Sequence, residues 1–266
     1  MPLVEVNGVR LEVQDAGHGA PIVLVHGSWD DRHVWAFVED DLAKSFRVLS
    51  YDRRGHTDSE DSPELGTHSD DEDDLAALIE LLGLAPANLV GSSFGGSIAL
   101  GLAARRPELV RSICAHEPPL LSLAADDPVV AQFTEGVAPA VSLIDGGETE
   151  AGAKLFVERV IAPGAWDDMS LEEQARMVRN AGTFPDDFRD CNELLIDLDA
   201  LAQFPSSVLL TGGDESPPFF GKILTRLVEV MKSARVRILP GAGHEPHLTH
   251  PDLWVAVVRE FVTGVN

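Results

Sequence analysis

The stretch of sequence that decides the fold is Leu89-Val90-Gly91-Ser92-Ser93-Phe94-Gly95-Gly96-Ser97. An apolar run ends at a glycine, a serine and two more glycines follow, and a helical pattern then begins. The pattern predicts a strand that turns sharply into a helix, because side chains at Gly91 or Gly95 would collide across so tight a turn. Ser93 would then lie beside the free N–H groups of a helix N-terminus. This is the arrangement of a nucleophile elbow, which holds a serine hydroxyl clear of its neighbours.

Length and charge narrow the class of protein. The chain has 266 residues, is 44% hydrophobic and carries a formal net charge of −24, which suits one large α/β domain or a domain with an insertion. A surface with this much negative charge repels phosphate backbones and anionic lipids. We therefore expect neither nucleic acid nor a membrane as a partner. The two cysteines, Cys114 and Cys191, are expected to be buried free thiols. Without a signal peptide or a long apolar run in the sequence, we predict a cytoplasmic protein.

Strand and helix patterns alternate along most of the chain. Asn7-Gly8 separates two segments of alternating hydrophobicity and predicts an N-terminal hairpin. Continuous apolar runs such as residues 22–25 are typical of buried parallel strands. We therefore predict an α/β fold with a mostly parallel eight-stranded sheet, an antiparallel hairpin at its start and helices on both faces.

The alternation stops between residues 118 and 205. Short helical patterns are separated there by proline and glycine, and one of them opens with the capping-box spacing Ser170-Leu171-Glu172-Glu173. We interpret residues 118–205, called the cap below, as a helical insertion late in the sheet. The core domain would then consist of residues 1–117 and 206–266.

Polar residues follow the predicted strands at the edge where parallel sheets bind ligands. Ser93, Asp214 and His244 each end a different strand, in the order serine, acid, histidine. That is the chain order of a hydrolase triad on an α/β sheet. Glu117 also follows a strand, and it is the alternative acid.

Outside the cap, the whole chain resembles the α/β-hydrolase family. The resemblance is carried by four motifs: His26-Gly27, Tyr51-Asp52-Arg53-Arg54-Gly55-His56, the elbow around Ser93, and Gly243-His244. It implies that Ser93 attacks the substrate, that His244 transfers the proton and that Asp214 orients His244. It also implies that the backbone N–H groups of Ser28 and Phe94 form the oxyanion hole, and that His26 orders the first of these loops.

The same resemblance narrows the reaction. A serine at the elbow argues against epoxide hydrolases and haloalkane dehalogenases, because both use a carboxylate nucleophile. Some haloalkane dehalogenases, however, place the acid of their triad where this chain has Glu117. Carbon–carbon hydrolases carry a tryptophan and an asparagine where this chain has Glu245 and Ser92. We therefore predict a carboxylesterase or lactonase that acts on a small to medium neutral substrate through an acyl-enzyme intermediate. A carbon–carbon (meta-cleavage type) hydrolase, an enol-lactonase, a cofactor-free perhydrolase and a non-catalytic ligand receptor are the alternatives.

The expected substrate pocket is aromatic. Trp29, Trp166, Phe184 and Phe219 are its candidate lining residues, together with Glu117 if that residue is not the acid. His244, His247 and His250 are spaced by three across prolines, which does not place them on one helical face, so we predict neither a metal site nor a cofactor. The predicted partner is a small-molecule ester or lactone, and no oligomeric state is predicted.

Overall fold

The computed structural model describes residues 3–61, 66–193 and 195–265, and its centre is an eight-stranded sheet. The strands are β1 (Leu3–Val6), β2 (Val9–Gly17), β3 (Pro21–Val25), β4 (Arg47–Tyr51), β5 (Ala87–Ser92), β6 (Val110–His116), β7 (Val208–Gly213) and β8 (Ala234–Leu239). Their order in the sheet is β1-β2-β4-β3-β5-β6-β7-β8. Only the pairs β1–β2 and β2–β4 of this described sheet are antiparallel. The predicted mostly parallel sheet is therefore confirmed.

The N-terminal hairpin turns at the predicted Asn-Gly pair. Val6 pairs with Val9 across a two-residue loop, and Asn7 and Gly8 have φ angles of 43° and 80°. Positive φ at both loop residues gives a turn whose twist matches that of the flanking strands, and Asn-Gly tolerates this conformation best.

Both faces of the sheet are covered by helices. In β3, Val23 and Val25 pack into one apolar cluster, while Ile22 and Leu24 pack into another on the opposite face. The α-helices are α1 (Glu39–Ala43), α2 (His68–Leu81), α3 (Phe94–Arg105), α4 (Pro128–Asp145), α5 (Thr149–Phe156), α6 (Ala165–Asp168), α7 (Leu171–Asn180), α8 (Phe184–Asn192), α9 (Leu198–Ala202), α10 (Phe219–Val230), α11 (Pro246–Thr249) and α12 (Pro251–Gly264). Within the described ranges, none of them is long and apolar enough to span a bilayer.

The described part of the chain between β6 and β7 contains helices and no strand, as predicted for the cap. Helices α4 to α8, with a π-helical turn at Val157–Ile161, enclose a separate apolar cluster, which Trp29 of the loop after β3 also joins. Ser170 and Glu173 form the predicted capping box at the start of α7. The end of the segment packs against the core domain instead, because Leu201 of α9 belongs to the same apolar cluster as Val23 and Val25 of β3. The division at residues 118 and 205 stays a prediction.

Candidate active site

Ser93 lies at a sharp turn between β5 and α3. Its φ and ψ angles are 52° and −126°, a strained conformation that a non-glycine residue keeps only where its surroundings impose it. The glycines make the turn possible, because a Cβ on Gly91 would collide with the Gly95 carbonyl and one on Gly95 with the Val25 carbonyl. The predicted strand, turn and helix are thus all present, and Ser93 forms part of a cavity wall.

A cavity of about 530 Å³ opens over Ser93, between the edge of the sheet and the cap helices. Its wall is mainly apolar, and the predicted residues Trp29, Phe184 and Phe219 belong to it. Trp166 does not. It packs inside the apolar cluster of the cap, so the prediction that it lines the pocket is wrong.

The charged groups in the cavity wall are acidic. They are the carboxylates of Asp30, Glu215 and Glu245, and no lysine or arginine of the described residues lines the cavity. Burial and the nearby Glu245 raise the pKa of Asp30 well above its ordinary value, because a buried carboxyl beside a second carboxylate is disfavoured as an anion. No lysine or arginine of the described residues is therefore placed in the wall to pair directly with an anionic substrate, although the charge of Arg176 reaches Asp30.

His244 is paired with Glu117 and not with Asp214. Its Nδ1–H donates to Glu117 Oε2 at 2.7 Å, and the Gly213 N–H donates to Glu117 Oε1 at 2.8 Å. The Asp214 carboxylate instead accepts a hydrogen bond from the Gly241 N–H at 2.7 Å and is exposed. The predicted pairing of Asp214 with His244 is therefore wrong, because Glu117, the alternative acid, holds that place. Glu117 is not among the residues that line the cavity, so the prediction that it binds substrate there is wrong as well.

The position of β6 in the sheet explains why Glu117, and not Asp214, pairs with His244. β6 lies between β5, which Ser93 directly follows, and β7, so the residue after β6 lies next to the ends of both neighbouring strands. Glu117 leaves β6 with a φ of 44° and reaches the end of β7 as well as His244. Asp214 continues β7 along its pairing with β8, where its N–H donates to the Leu239 carbonyl at 3.3 Å. Its short side chain is therefore directed to the turn after β8.

The surroundings of Glu117 favour its anion. Burial alone raises the pKa of Glu117, but the hydrogen bond with His244, the nearby His116 and the Gly213 N–H lower the pKa by more, so it lies below the ordinary value. A buried carboxylate of this kind fixes the tautomer of His244 and stabilises the imidazolium form. Phe220 stacks on the imidazole of His244, and the two ring centroids are 4.8 Å from each other.

Ser93 and His244 both border the cavity. The hydrogen bonds of the described residues do not include one between Ser93 Oγ and His244. Catalytic hydrogen bonds are often long without substrate and shorten in the complex. Ser93 and the imidazole that Glu117 orients therefore share one cavity.

The histidines near the site have different surroundings. The ligand atoms of His116, Glu117 and His244 all lie within 4.8 Å of one another, a spacing that could hold a metal ion. Burial lowers the pKa of His116 to about 4, so it is neutral at pH 7. His247 lies apart, buried against Trp35 with ring centroids 4.6 Å from each other.

The loop proposed for the oxyanion hole lies directly against Ser93. A Cβ added to Gly27 would come within 3.0 Å of Ser93 Cβ, and Ser28 lines the cavity. Phe94 is the first residue of α3, so its N–H has no acceptor within the helix. Gly27, the residue before Ser28, thus lies against Ser93, and Phe94 directly follows Ser93 in the chain.

His26 holds this loop. Its Nε2 accepts a hydrogen bond from the Arg53 N–H at 2.9 Å, and its Nδ1–H donates to the Gly27 carbonyl at 2.8 Å. Burial and the charge of Arg53 lower the pKa of His26 to about 4, so one ring nitrogen accepts while the other donates. This geometry suits an ordering role rather than that of a base.

A buried ion network, which the sequence did not predict, joins the sheet edge to the cap. Arg53 NH2 lies 2.8 Å from Asp71 Oδ2 and 2.8 Å from Asp187 Oδ1, and all three side chains are buried. Asp187 belongs to α8, far along the chain. The polar motif around Arg53 was a signal for one end of the network, but nothing in the sequence around Asp187 marks it as the partner.

Comparisons with known proteins identify the family of this chain. Residues 22–257 match a family described as the Alpha/beta hydrolase family. A pimeloyl-[acyl-carrier protein] methyl ester esterase from Neisseria meningitidis is 30% identical over 256 residues, which are 92% of this chain and 77% of that protein. The uncharacterized hydrolase YraK from Bacillus subtilis is 39% identical over 125 residues, and the match spans 45% of each protein. The crystal structure of the enol-lactonase from Burkholderia xenovorans superposes with a TM-score of 0.79 and 22% identity, over 98% of this chain and 100% of that one; at this identity the likeness concerns the fold alone.

Proposed function

The chain belongs to the α/β-hydrolase family, and from this premise we propose that it is a serine hydrolase that cleaves a carboxylic ester or lactone. The observation that carries the proposal is the 2.7 Å hydrogen bond between the buried Glu117 and His244, which lines the same cavity as the strained Ser93. A serine hydroxyl is a poor nucleophile unless such a base accepts its proton.

The reaction has two steps. Ser93 Oγ attacks the carbonyl carbon while His244 takes its proton, and His244 then gives that proton to the leaving oxygen, which yields the acyl-enzyme. Water, activated by the same imidazole, releases the acid and restores Ser93. The N–H groups of Ser28 and Phe94 stabilise the oxyanion in each step, a contribution of about 3 kcal/mol per donor in studied hydrolases. Glu117 stays ionised throughout and stabilises the imidazolium.

The proposed substrate is neutral, with an apolar acyl or alcohol group. Glu215 and Glu245 in the wall repel a substrate carboxylate, and the apolar lining contributes hydrophobic binding energy. A carbon–carbon hydrolase would need cationic groups of the cap at this cavity. Arg179 donates to the Gly55 carbonyl and Arg159 to the Gly136 carbonyl, and neither lines the cavity, whereas the charge of Arg176 acts on Asp30. The similarity to a methyl ester esterase supports ester cleavage as the first reaction to test.

The test is labelling by a fluorophosphonate, which reacts with activated serines. We expect the native protein to be labelled and Ser93→Ala to remain unlabelled, because the phosphonate bonds to Ser93 Oγ. Ser97→Ala is the matched control, since Ser97 lies one turn further along α3, is buried and is not part of the cavity wall. A folded native protein that resists labelling would support the ligand-receptor alternative instead.

A further inference from the structure

Each residue of the loop 28–30 contacts the cap. The Ser28 hydroxyl interacts with the Asp187 carboxylate of α8. The Trp29 ring packs against Phe156, with centroids 4.6 Å from each other, and against Phe184, at 4.4 Å. Three aromatic rings from distant parts of the chain therefore meet directly beside the proposed oxyanion hole.

Asn180, at the end of α7, makes the most specific of these attachments. Its Nδ2 donates to the Trp29 carbonyl at 3.0 Å and to the Asp30 carbonyl at 2.9 Å. Its Oδ1 accepts from the Thr57 N–H at 2.8 Å. The side chain is completely buried, so all of its polar groups are used to join the cap to two loops at the sheet edge.

The backbone that Asn180 holds is strained. Trp29 has a φ of 69°, in the left-handed region that costs a bulky residue about 1–3 kcal/mol and persists only where the surroundings impose it. The surroundings here are the Asn180 amide on the Trp29 carbonyl and the cap rings on its indole. Because Trp29 directly follows Ser28, a relaxation of this strain would also displace the Ser28 N–H.

We propose that Asn180 is a positioning residue, which holds residues 28–30 so that the Ser28 N–H faces the oxyanion. This inference rests on the proposed serine hydrolase function. A donor aimed at the oxyanion acts on the transition state and not on the bound substrate, so its displacement lowers kcat and leaves KM unchanged. A shift of about 1 Å can cost on the order of 100-fold in rate.

Two variants test this role with a neutral p-nitrophenyl ester as substrate. We expect Asn180→Ala and Asn180→Asp to lower kcat by about 10-fold to 100-fold, with KM changed by less than about twofold. Asn180→Asp keeps the acceptor for the Thr57 N–H and loses both donors to the strained loop. It is the variant to measure if Asn180→Ala does not fold.

Gln174→Ala is the matched control. The Gln174 amide also donates to two backbone carbonyls, those of Trp166 at 2.9 Å and Met169 at 3.3 Å, but both lie within the cap. We expect it to lower the melting temperature much as the Asn180 variants do and to leave kcat within about twofold. The contrast separates loop positioning from cap stability.

The outcomes are distinguishable. If the Asn180 variants lose thermal stability but keep kcat, or if only KM rises, Asn180 is a structural residue and the inference is overturned. Labelling that still depends on Ser93 would in that case leave the proposed function intact. Loss of the proposed function itself would appear earlier, as a native protein that the fluorophosphonate does not label.

Discussion

The neighbouring strands β6 and β7 are each followed by a carboxylate, and the two carboxylates differ in burial and in hydrogen-bond partners. Glu117 after β6 is buried and bonded to His244, whereas Asp214 after β7 is exposed and bonded to the Gly241 N–H. A charge pair in a buried, low-dielectric site interacts more strongly than one in water. The difference shows what decides which acid pairs with the histidine. The strand that the acid follows and its solvent exposure matter more than its position in the chain order of a triad.

The largest expected effect is on turnover. We expect Glu117→Gln to lower kcat by about 10⁴, because an amide cannot hold the His244 tautomer or stabilise the imidazolium. Asp214→Asn should lower kcat by less than about fivefold, as for an exposed charge. Steady-state kinetics on a neutral ester with both variants measures the contrast.

The double variant sharpens this comparison. If Asp214 plays no part in catalysis, Glu117→Gln combined with Asp214→Asn will be as slow as Glu117→Gln alone. A further loss of tenfold or more would mean that Asp214 takes over when Glu117 is missing. If Asp214→Asn alone abolished turnover, the assignment of the acid to Glu117 would be refuted.

A smaller effect is expected on stability at the end of β7. Asp214→Ala removes the acceptor for the Gly241 N–H and should cost about 1 kcal/mol, or roughly 2–4 °C in melting temperature. Asp214→Asn retains an oxygen acceptor and is the control. Equal melting temperatures for the three proteins would show that this hydrogen bond does not stabilise the turn.

The smallest effect concerns acid pH. The pKa of Glu117 is lower in the folded protein than in the unfolded chain, so its stabilising contribution is complete above the unfolded pKa of about 4.5 and is lost as the pH falls through the folded value. We therefore expect the melting temperature of the native protein to fall more steeply below pH 4.5 than that of Glu117→Gln. Scanning calorimetry from pH 7 to pH 3 measures the difference, and parallel curves would contradict the lowered pKa.

Features that depend on neighbouring residues could be predicted from the sequence. The turn at Asn7-Gly8 follows from the conformations open to two residues, and the elbow at Ser93 from the space that Gly91 and Gly95 leave. The Ser170 capping box is equally local. In each case the physical cause lies within about five residues, so a pattern in the sequence is enough.

Features that depend on the packing of distant elements could not be predicted. The choice between Glu117 and Asp214 follows from the place of β6 beside β5 in the sheet. Trp166 lies on the four-residue helix α6, which is too short to show which face is buried. Asn180 looks like an ordinary residue at a helix end, and its partners are about 120 and 150 positions away.

The attachment of residues 28–30 to the cap has a consequence for protein engineering. In hydrolases of this kind, exchanging the cap between relatives is an obvious route to a new substrate preference. Here a transplanted cap without an amide at the place of Asn180, or without rings at Phe156 and Phe184, would release the strained backbone at Trp29. Such a chimera would bind the intended molecule and turn it over slowly, unless those three side chains were grafted along with it.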